Sequence, residues 1–386
     1  MEAANVFLDT IEDLGRKFGE SAERHDAEDT FVGENFSALK ERKVFSALIP
    51  ADLGGGGVSY RTMCQALRRL ARHCPSTALS LSMHQHLVAY QTWNHLQGKP
   101  VRMLLERVAQ KQLVLISTGA NDWLGSSGRM EKAEGGYRVH GRKPFASGSP
   151  MGDLLMTSAP YLDPKEGWQV LHFPVPFTSE GVKVLADWKT MGMRGTGSNT
   201  VVLENVFIPE ESVGFRRPRG TFHPAFAAIT AIACPLIVSV YVGAAEEAAR
   251  IAREQARPRG KDPVLPYLLG EMENHLASAQ IALESMLDIS NDFGFAPTTE
   301  TANAILIRKT LAANAALATA EKAMECMSGS GYFRASKLER LLRDIHAGQF
   351  HPLPEKRQQL FTGRMALGLE PVEPETFPTV TESSRN

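Results

Sequence analysis

The segment RDIHAGQFHPLPE carries two groups that could move a proton. His351 titrates near neutral pH, and Glu355 is the acid that follows it. Pro352, between them, has no proton-accepting group. His351 could work on a substrate or cofactor, or it could cap and pack its own loop. Two more histidines, His84 and His86, stand in SMHQHLVAY. Residues two apart on a helix do not share a face, so this pair is no chelate for one metal. In GRKPFASG, the Ser147 hydroxyl stands beside the peptide N–H of Gly148. Such a pair can hydrogen-bond a polar ring edge, or it can simply end a strand.

These residues fall on elements of different kinds. From the start to about Val114, YRTMCQALRRLARHC and VRMLLERVAQ repeat apolar residues at helical steps, interrupted by the turn at Gly54 to Gly57. From about Leu115 to Val213 the period becomes two. YRVHGRKPF, WQVLHFPVPF and NTVVLENVFI alternate as half-buried antiparallel strands do. Helices then return, two of them long, over about 265–293 and 299–327. Alanine faces suit them to close packing, and SGSG stops the second. The expected domains are thus helical over 1–114, β over 115–213 and helical over 214–370, with a loose polar tail over 371–386.

The chain has 386 residues, 43% of them hydrophobic, ample for a large core. Acidic and basic residues number 43 and 42 with no basic run, which argues against nucleic acid or a membrane surface as partner. No apolar stretch reads as a membrane span, TAIACPLIVSVYVGAA included, and the amphipathic start reads as neither signal nor transit peptide. Cys64, Cys74, Cys234 and Cys326 lack C-x-x-C spacing, so buried thiols in a reducing cytoplasm are expected. No metal site is expected.

Four segments, LIPADLGGGG, WKTMGMRGTGSNTVVLENVFIPEE, MSGSGYF and RDIHAGQFHPLPE, occur in an order that resembles the acyl-CoA dehydrogenase superfamily of flavoproteins. The likeness spans roughly residues 14–369. It implies an α+β fold: an N-terminal α-helical domain, a central antiparallel β-domain and a C-terminal four-helix bundle. The flavin, FAD or FMN, is expected between the β-domain and the bundle, and the bundle is expected to build a dimer or tetramer.

The resemblance also assigns roles. The dehydrogenases carry a glutamate base where this chain has Pro352, and a second known base position falls near Ala227, again without a carboxylate. Phe145 and Ser147 match the strand that faces the flavin N5 edge, with Gly148 beside them. The F-x-S-G form is similar to flavin-dependent monooxygenases of this fold, such as the hydroxylases of dibenzothiophene and 4-hydroxyphenylacetate. In those enzymes a histidine matching His351 stabilises a C4a-hydroperoxide and relays its proton, work suited to a pKa near ambient pH. His86 matches a histidine that can act as base toward the substrate. In STGAND, Thr118, Gly119 and Asp122 correspond to the turn that meets the pyrimidine end, with Trp123 next to it. Arg257 and Gly329 match the pyrophosphate grip, but Glu325 stands where a glutamine is usual and would repel a pyrophosphate. The implied function is a flavin-dependent monooxygenase fed reduced flavin by a partner reductase, with His351, Ser147 and His86 as working residues. The alternative is an FAD-dependent acyl-CoA dehydrogenase with Glu355 as a displaced base. A flavin-fold binding protein or inactive subunit is the reading from a third class.

Overall fold

The computed structural model describes residues 2–118 and 124–373. The first layer is helical: α1 (Glu2–Glu28), α2 (Gly33–Glu41), α3 (Tyr60–Ala71), α4 (Pro75–Leu96) and α5 (Arg102–Lys111). In α1 the apolar face of Leu8, Ile11, Leu14 and Phe18 is buried. The Ser59 hydroxyl caps α3 by accepting from the Thr62 N–H at 3.1 Å, and Pro75 opens α4 where no helical N–H is needed.

A sheet follows, built from β1 (Leu115–Ser117), β2 (Arg129–Ala133), β3 (Gly136–Ala146), β4 (Leu154–Asp163), β5 (Gly167–Pro176), β6 (Val182–Val184), β7 (Asn199–Pro209) and β8 (Phe215–Pro218). The order is β6-β7-β3-β2-β4-β5-β8, with β1 set against β4. Most pairs are antiparallel, but β1 runs parallel to β4 and β2 meets β4 in parallel at Met130 and Tyr161, so the sheet is mixed. Short strands that cross over between layers are invisible to a period-two reading. β8 also carries strand structure past Val213, pairing with β5.

The last layer holds α6 (Pro224–Ala256), α7 (Leu265–Ser290), α8 (Thr299–Met327), α9 (Lys337–His346) and α10 (Glu355–Ala366). α8 packs on both α6 and α7 through Ala312, Ala316, Ala320 and Ala323, all of which are buried. Contrary to the sequence reading, α6 is long and apolar enough to cross a bilayer. Its most apolar window is 89% buried inside the protein, as befits a core helix. The tail from 374 onward lies outside the described residues.

Two close contacts lock the layers around the site. At Gly192 an added Cβ would lie 2.1 Å from the Arg343 carbonyl oxygen, so only glycine lets the segment before β7 meet α9. Beside it the Asp344 carboxylate accepts from the Met193 N–H at 2.5 Å. Burial raises the Asp344 carboxyl to about 6. Arg343 reaches α1, donating to both oxygens of Asp26 at 2.9 and 2.6 Å. The Arg-Asp pair thus fixes the start of the His351 loop to two other layers.

Candidate functional site

His351 lies just before α10, held through its backbone and its ring. Lys309, on α8 and 3% exposed, donates from Nζ to the His351 carbonyl at 2.8 Å and to the Leu353 carbonyl at 3.1 Å. Burial lowers this ammonium to about 8. On the ring, His351 Nε2 lies 2.6 Å from the hydroxyl of Tyr241, a residue of α6 that is 2% exposed. The phenol keeps its proton, because burial pushes it well above its usual pKa. Among the described residues that hydroxyl has no other hydrogen-bond partner, so donation to Nε2 is the arrangement that leaves no buried O–H unmet. The consequence is a tautomer: the imidazole proton sits on Nδ1. Burial, then Lys309 and His86, push the ring down to about 3. This corrects the sequence expectation of a pKa near ambient. His351 is neutral at pH 7, and it offers an N–H rather than a positive charge.

The two histidines of α4 diverge. His84 is fully committed: Nδ1 accepts from the Leu115 N–H at 2.9 Å, and Nε2–H donates to the Phe45 carbonyl at 2.8 Å. It ties α4 to β1 and is structural. His86 is half-buried, and its Nδ1 lies buried with no direct side-chain partner. Burial lowers His86 to about 4, although hydrogen bonding with the Ser82 backbone raises the ring's pKa, so it too is neutral at pH 7.

On the β-domain side, the register of β3 against β7 shifts between Lys143 and Ala146. The bulge turns Phe145 to a φ of +60° and leaves its ring 55% exposed, edge-on to Trp188. Ser147 follows. Its Oγ lies 2.7 Å from Ser198 Oγ, which lies 2.7 Å from Thr196 Oγ1, which donates to the Met193 carbonyl at 2.8 Å. The Gly148 N–H is used inward, donating to the Thr196 carbonyl at 2.9 Å. The Ser80 hydroxyl of α4 reaches that same carbonyl at 3.1 Å. α4 thus reaches Thr196 of the hydroxyl chain directly through Ser80, and its His86 stands near enough to His351 to depress that ring's pKa. Six residues separate Ser80 from His86, about 9 Å along a helix.

Other candidates are placed elsewhere. Thr118 lies half-buried at the end of β1; Gly119, Asp122 and Trp123 lie outside the described residues. Arg257 is exposed, and its neighbour Arg259 instead donates to the Cys326 carbonyl, just before exposed Gly329. Glu325 is exposed and paired with Lys322 at 3.0 Å. Glu355 opens α10 with its carboxylate bound by Asn314 at 3.2 Å and by Gln359 at 2.8 Å. Asn314, then Lys356, lower its pKa, which makes it a weak base. Ala227 is buried and offers no carboxylate. All four cysteines are buried free thiols. Among the described residues no His/Cys/Asp/Glu group could hold a metal.

Tyr241, Lys309, Thr196 and Ser198 escaped the sequence reading. The signal available was a hydrogen-bonding side chain set in an otherwise apolar helical stretch, Tyr241 within LIVSVYVG and Lys309 within ILIRKTLAA. The two hydroxyls sat inside a segment read only as a shared signature.

Whether a flavin fits can be asked of these residues. A ring with an apolar face and a polar edge would meet the uncovered Phe145 ring and the Ser147 hydroxyl that follows it. The donor set is compatible with it. Comparison with known proteins agrees. The acyl-CoA dehydrogenase N-terminal domain profile matches residues 2–109, and the acyl-CoA dehydrogenase C-terminal domain profile matches residues 236–355, together more than half of the chain. An amino sugar nitrososynthase of Streptomyces peucetius is 27% identical, covering 91% of this chain and 90% of its own. A putative acyl-CoA dehydrogenase of Bacillus subtilis is also 27% identical, with 89% and 92% covered. A dibenzothiophene monooxygenase of Mycolicibacterium goodii is 26% identical, with 89% of each covered. The solved structure of KijD3 with FMN and a dTDP-linked amino sugar superposes with a TM-score of 0.87 at 26% identity, covering 97% of this chain and 96% of that one. The chain belongs to the acyl-CoA dehydrogenase superfamily and is a flavin-dependent oxidoreductase.

Proposed function

We propose that this protein is a monooxygenase that takes up reduced flavin and uses it with molecular oxygen. The observation that carries the reading is the half-buried, neutral His351, its tautomer set by Tyr241, in the loop where a dehydrogenase would place its carboxylate base. When bound, reduced flavin supplies the two electrons that activate oxygen. The protein's residues do the rest. Ser147 meets the polar edge of the ring, with Phe145 against it. His351 presents its Nδ1–H as a neutral donor to oxygen and its products, in a dry setting where a hydrogen bond is strong. His86 Nδ1 accepts a proton or hydrogen bond from the substrate. Lys309 holds the loop so that these groups stay in register.

Relatives named as dibenzothiophene monooxygenases and amino sugar nitrososynthases support this reading, as does FMN in the KijD3 structure. A separate flavin reductase would deliver the reduced cofactor, and the reducing cytoplasm suits both proteins. A homo-oligomer, dimer or tetramer, would cover exposed Ile281, Leu311 and Leu360 on the outer faces of α7, α8 and α10. The test is to mix the protein with reduced FMN or FAD and air in the presence of sulfur heterocycles, indoles and amino sugars. Oxygenated product is expected from at least one class. Quantitative hydrogen peroxide with no product from any of them would overturn the reading.

The dehydrogenase alternative draws on the Bacillus relative. It requires a base, and Glu355 is solvated, engaged by Asn314 and low in pKa. Bleaching of bound FAD by an acyl-CoA without oxygen would restore it.

A further inference from the structure

The hydroxyl chain behind Ser147 has a direction that the heavy-atom distances alone determine. Three short O···O contacts link Ser147 to Ser198, Ser198 to Thr196, and Thr196 to the Met193 carbonyl, at 2.7, 2.7 and 2.8 Å. Oxygens this close need a hydrogen between them. The carbonyl brings none, so the Thr196 hydrogen must fill the last contact. The Ser198 hydrogen then fills the middle one, because Thr196 has no second. The Ser147 hydrogen is left for the first. Every hydroxyl points inward, and Ser147 Oγ faces outward with lone pairs only. Any other arrangement leaves two lone pairs in contact within a buried group.

We infer that this polarity makes the protein select reduced over oxidised flavin, with Ser198 and Thr196 as the positioning residues and Ser147 as the contact. The inference rests on the reading that Ser147 meets the ring at N5. N5 of oxidised flavin is an acceptor without hydrogen, and against the Ser147 lone pairs it finds no donor. In reduced flavin N5 carries a hydrogen, which Ser147 can accept. The nearby Gly148 N–H cannot substitute as donor to oxidised N5, since it is bonded to the Thr196 carbonyl. A chain that hands its last acceptor to the cofactor suits an enzyme that receives flavin already reduced. Release after turnover follows from the same asymmetry, because oxidation removes the hydrogen that Ser147 holds.

The experiment compares dissociation constants for oxidised FMN and for anaerobically reduced FMN. Ser198→Ala and Thr196→Val each break the chain and let the Ser147 hydrogen turn outward. In both variants the preference for reduced FMN should fall about fivefold, the size of one ordinary hydrogen bond gained by the oxidised form once the freed Ser147 hydroxyl can donate to it. The midpoint potential of bound flavin should fall with it. Ser198→Thr keeps a hydroxyl in place and should retain the wild-type ratio, which separates the hydrogen's direction from mere packing. Ser147→Ala tests the underlying placement. If it shifts neither constant, flavin does not meet Ser147, and that reading fails. If Ser147→Ala weakens reduced FMN while Ser198→Ala and Thr196→Val leave the ratio unchanged, the placement stands and the selection mechanism is wrong. Because either break in the chain suffices, a misfolded variant of one leaves the other to decide.

Discussion

The two walls that α4 joins control hydrogen in different ways. The β-domain wall is made of Ser147, Ser198 and Thr196, none of which titrates in the physiological range, so its polarity is the same at any working pH. The bundle wall is made of Tyr241, His351 and Lys309, all titratable, and burial shifts each toward its neutral form. One wall is fixed by geometry and the other by desolvation. The lesson is that a histidine need not sit near pH 7 to be useful. Held neutral with one ring nitrogen spoken for, it becomes a donor of known position.

The largest break in this comparison should come from removing the imidazole. His351→Gln is expected to cost about 100-fold or more in product formation, the usual scale for a positioned acid–base group. Oxygen consumption should persist, with the lost product replaced by hydrogen peroxide. A variant that keeps full coupling would reduce His351 to a loop-packing residue. The effect should exceed that of any single hydroxyl on the other wall, since those set orientation rather than transfer protons.

Tyr241→Phe is the sharper and smaller test. It removes one oxygen and keeps the ring that packs on Gly348. Product rate should fall by about tenfold, in line with one lost hydrogen bond to a buried partner. The decisive readout is the histidine itself. In ring-15N-labelled protein, His351 should show its proton on Nδ1 in the wild type and a tautomer mixture in Tyr241→Phe. A wild-type proton on Nε2 would reverse the direction assigned to this bond.

Titration separates the walls again. His84, His86, His172 and His351 all have folded pKa values lowered by burial, to about 4, 4, 3 and 3. Between the unfolded value of about 6.5 and these values, the unfolded chain binds the extra protons. Stability is therefore present above about pH 6.5 and is lost as pH falls through this window. Asp344, raised to about 6, opposes the trend by one proton. Urea midpoints should decline as pH drops from 6.5 to 4. His351→Gln should flatten that decline by up to one proton's worth, about 1.4 kcal/mol per pH unit, while Ser147→Ala should leave the slope alone. An unchanged slope in His351→Gln would mean that the imidazole is not buried as placed.

How much of this could be read from the residues follows the same division. The long helix at 299–327 was legible from its alanine face and the SGSG stop, and the structure adds Thr298 as its N-cap. His351 and Ser147 were legible as chemical groups because each stands in a short recognisable segment. The mixed sheet was not, since the parallel β1–β4 contact joins residues far apart in sequence through three-residue pairing. Nor was the His351 pKa, which depends on burial and then on a lysine and a histidine from two other helices. Period tells which face of a helix is buried; it does not tell which buried polar atom will find its partner. His84 and His86 make the point within one turn, identical in type and opposite in fate.

The smallest expected effect falls on Glu355, and it bears on the choice of chemistry. Its carboxylate is accessible, bound by Asn314 and Gln359, and held low by Asn314 and Lys356. A base with those neighbours would have to shed them and swing past the Lys309 clamp on the His351 and Leu353 carbonyls to reach a substrate. Glu355→Gln keeps the shape and removes only the charge, so oxygenation should stay within about twofold of wild type, as expected for a surface substitution remote from the chemistry. The same variant assayed with acyl-CoAs is the stronger form of the test. If Glu355→Gln abolished flavin reduction by a thioester that the wild type oxidises, the carboxylate would be the working base after all. The neutral histidine three residues before Pro354 would then be packing for a dehydrogenase. The Tyr241–His351 bond argues the other way, because loop packing alone does not require a hydroxyl to hold one ring nitrogen while the other has no partner among the described residues.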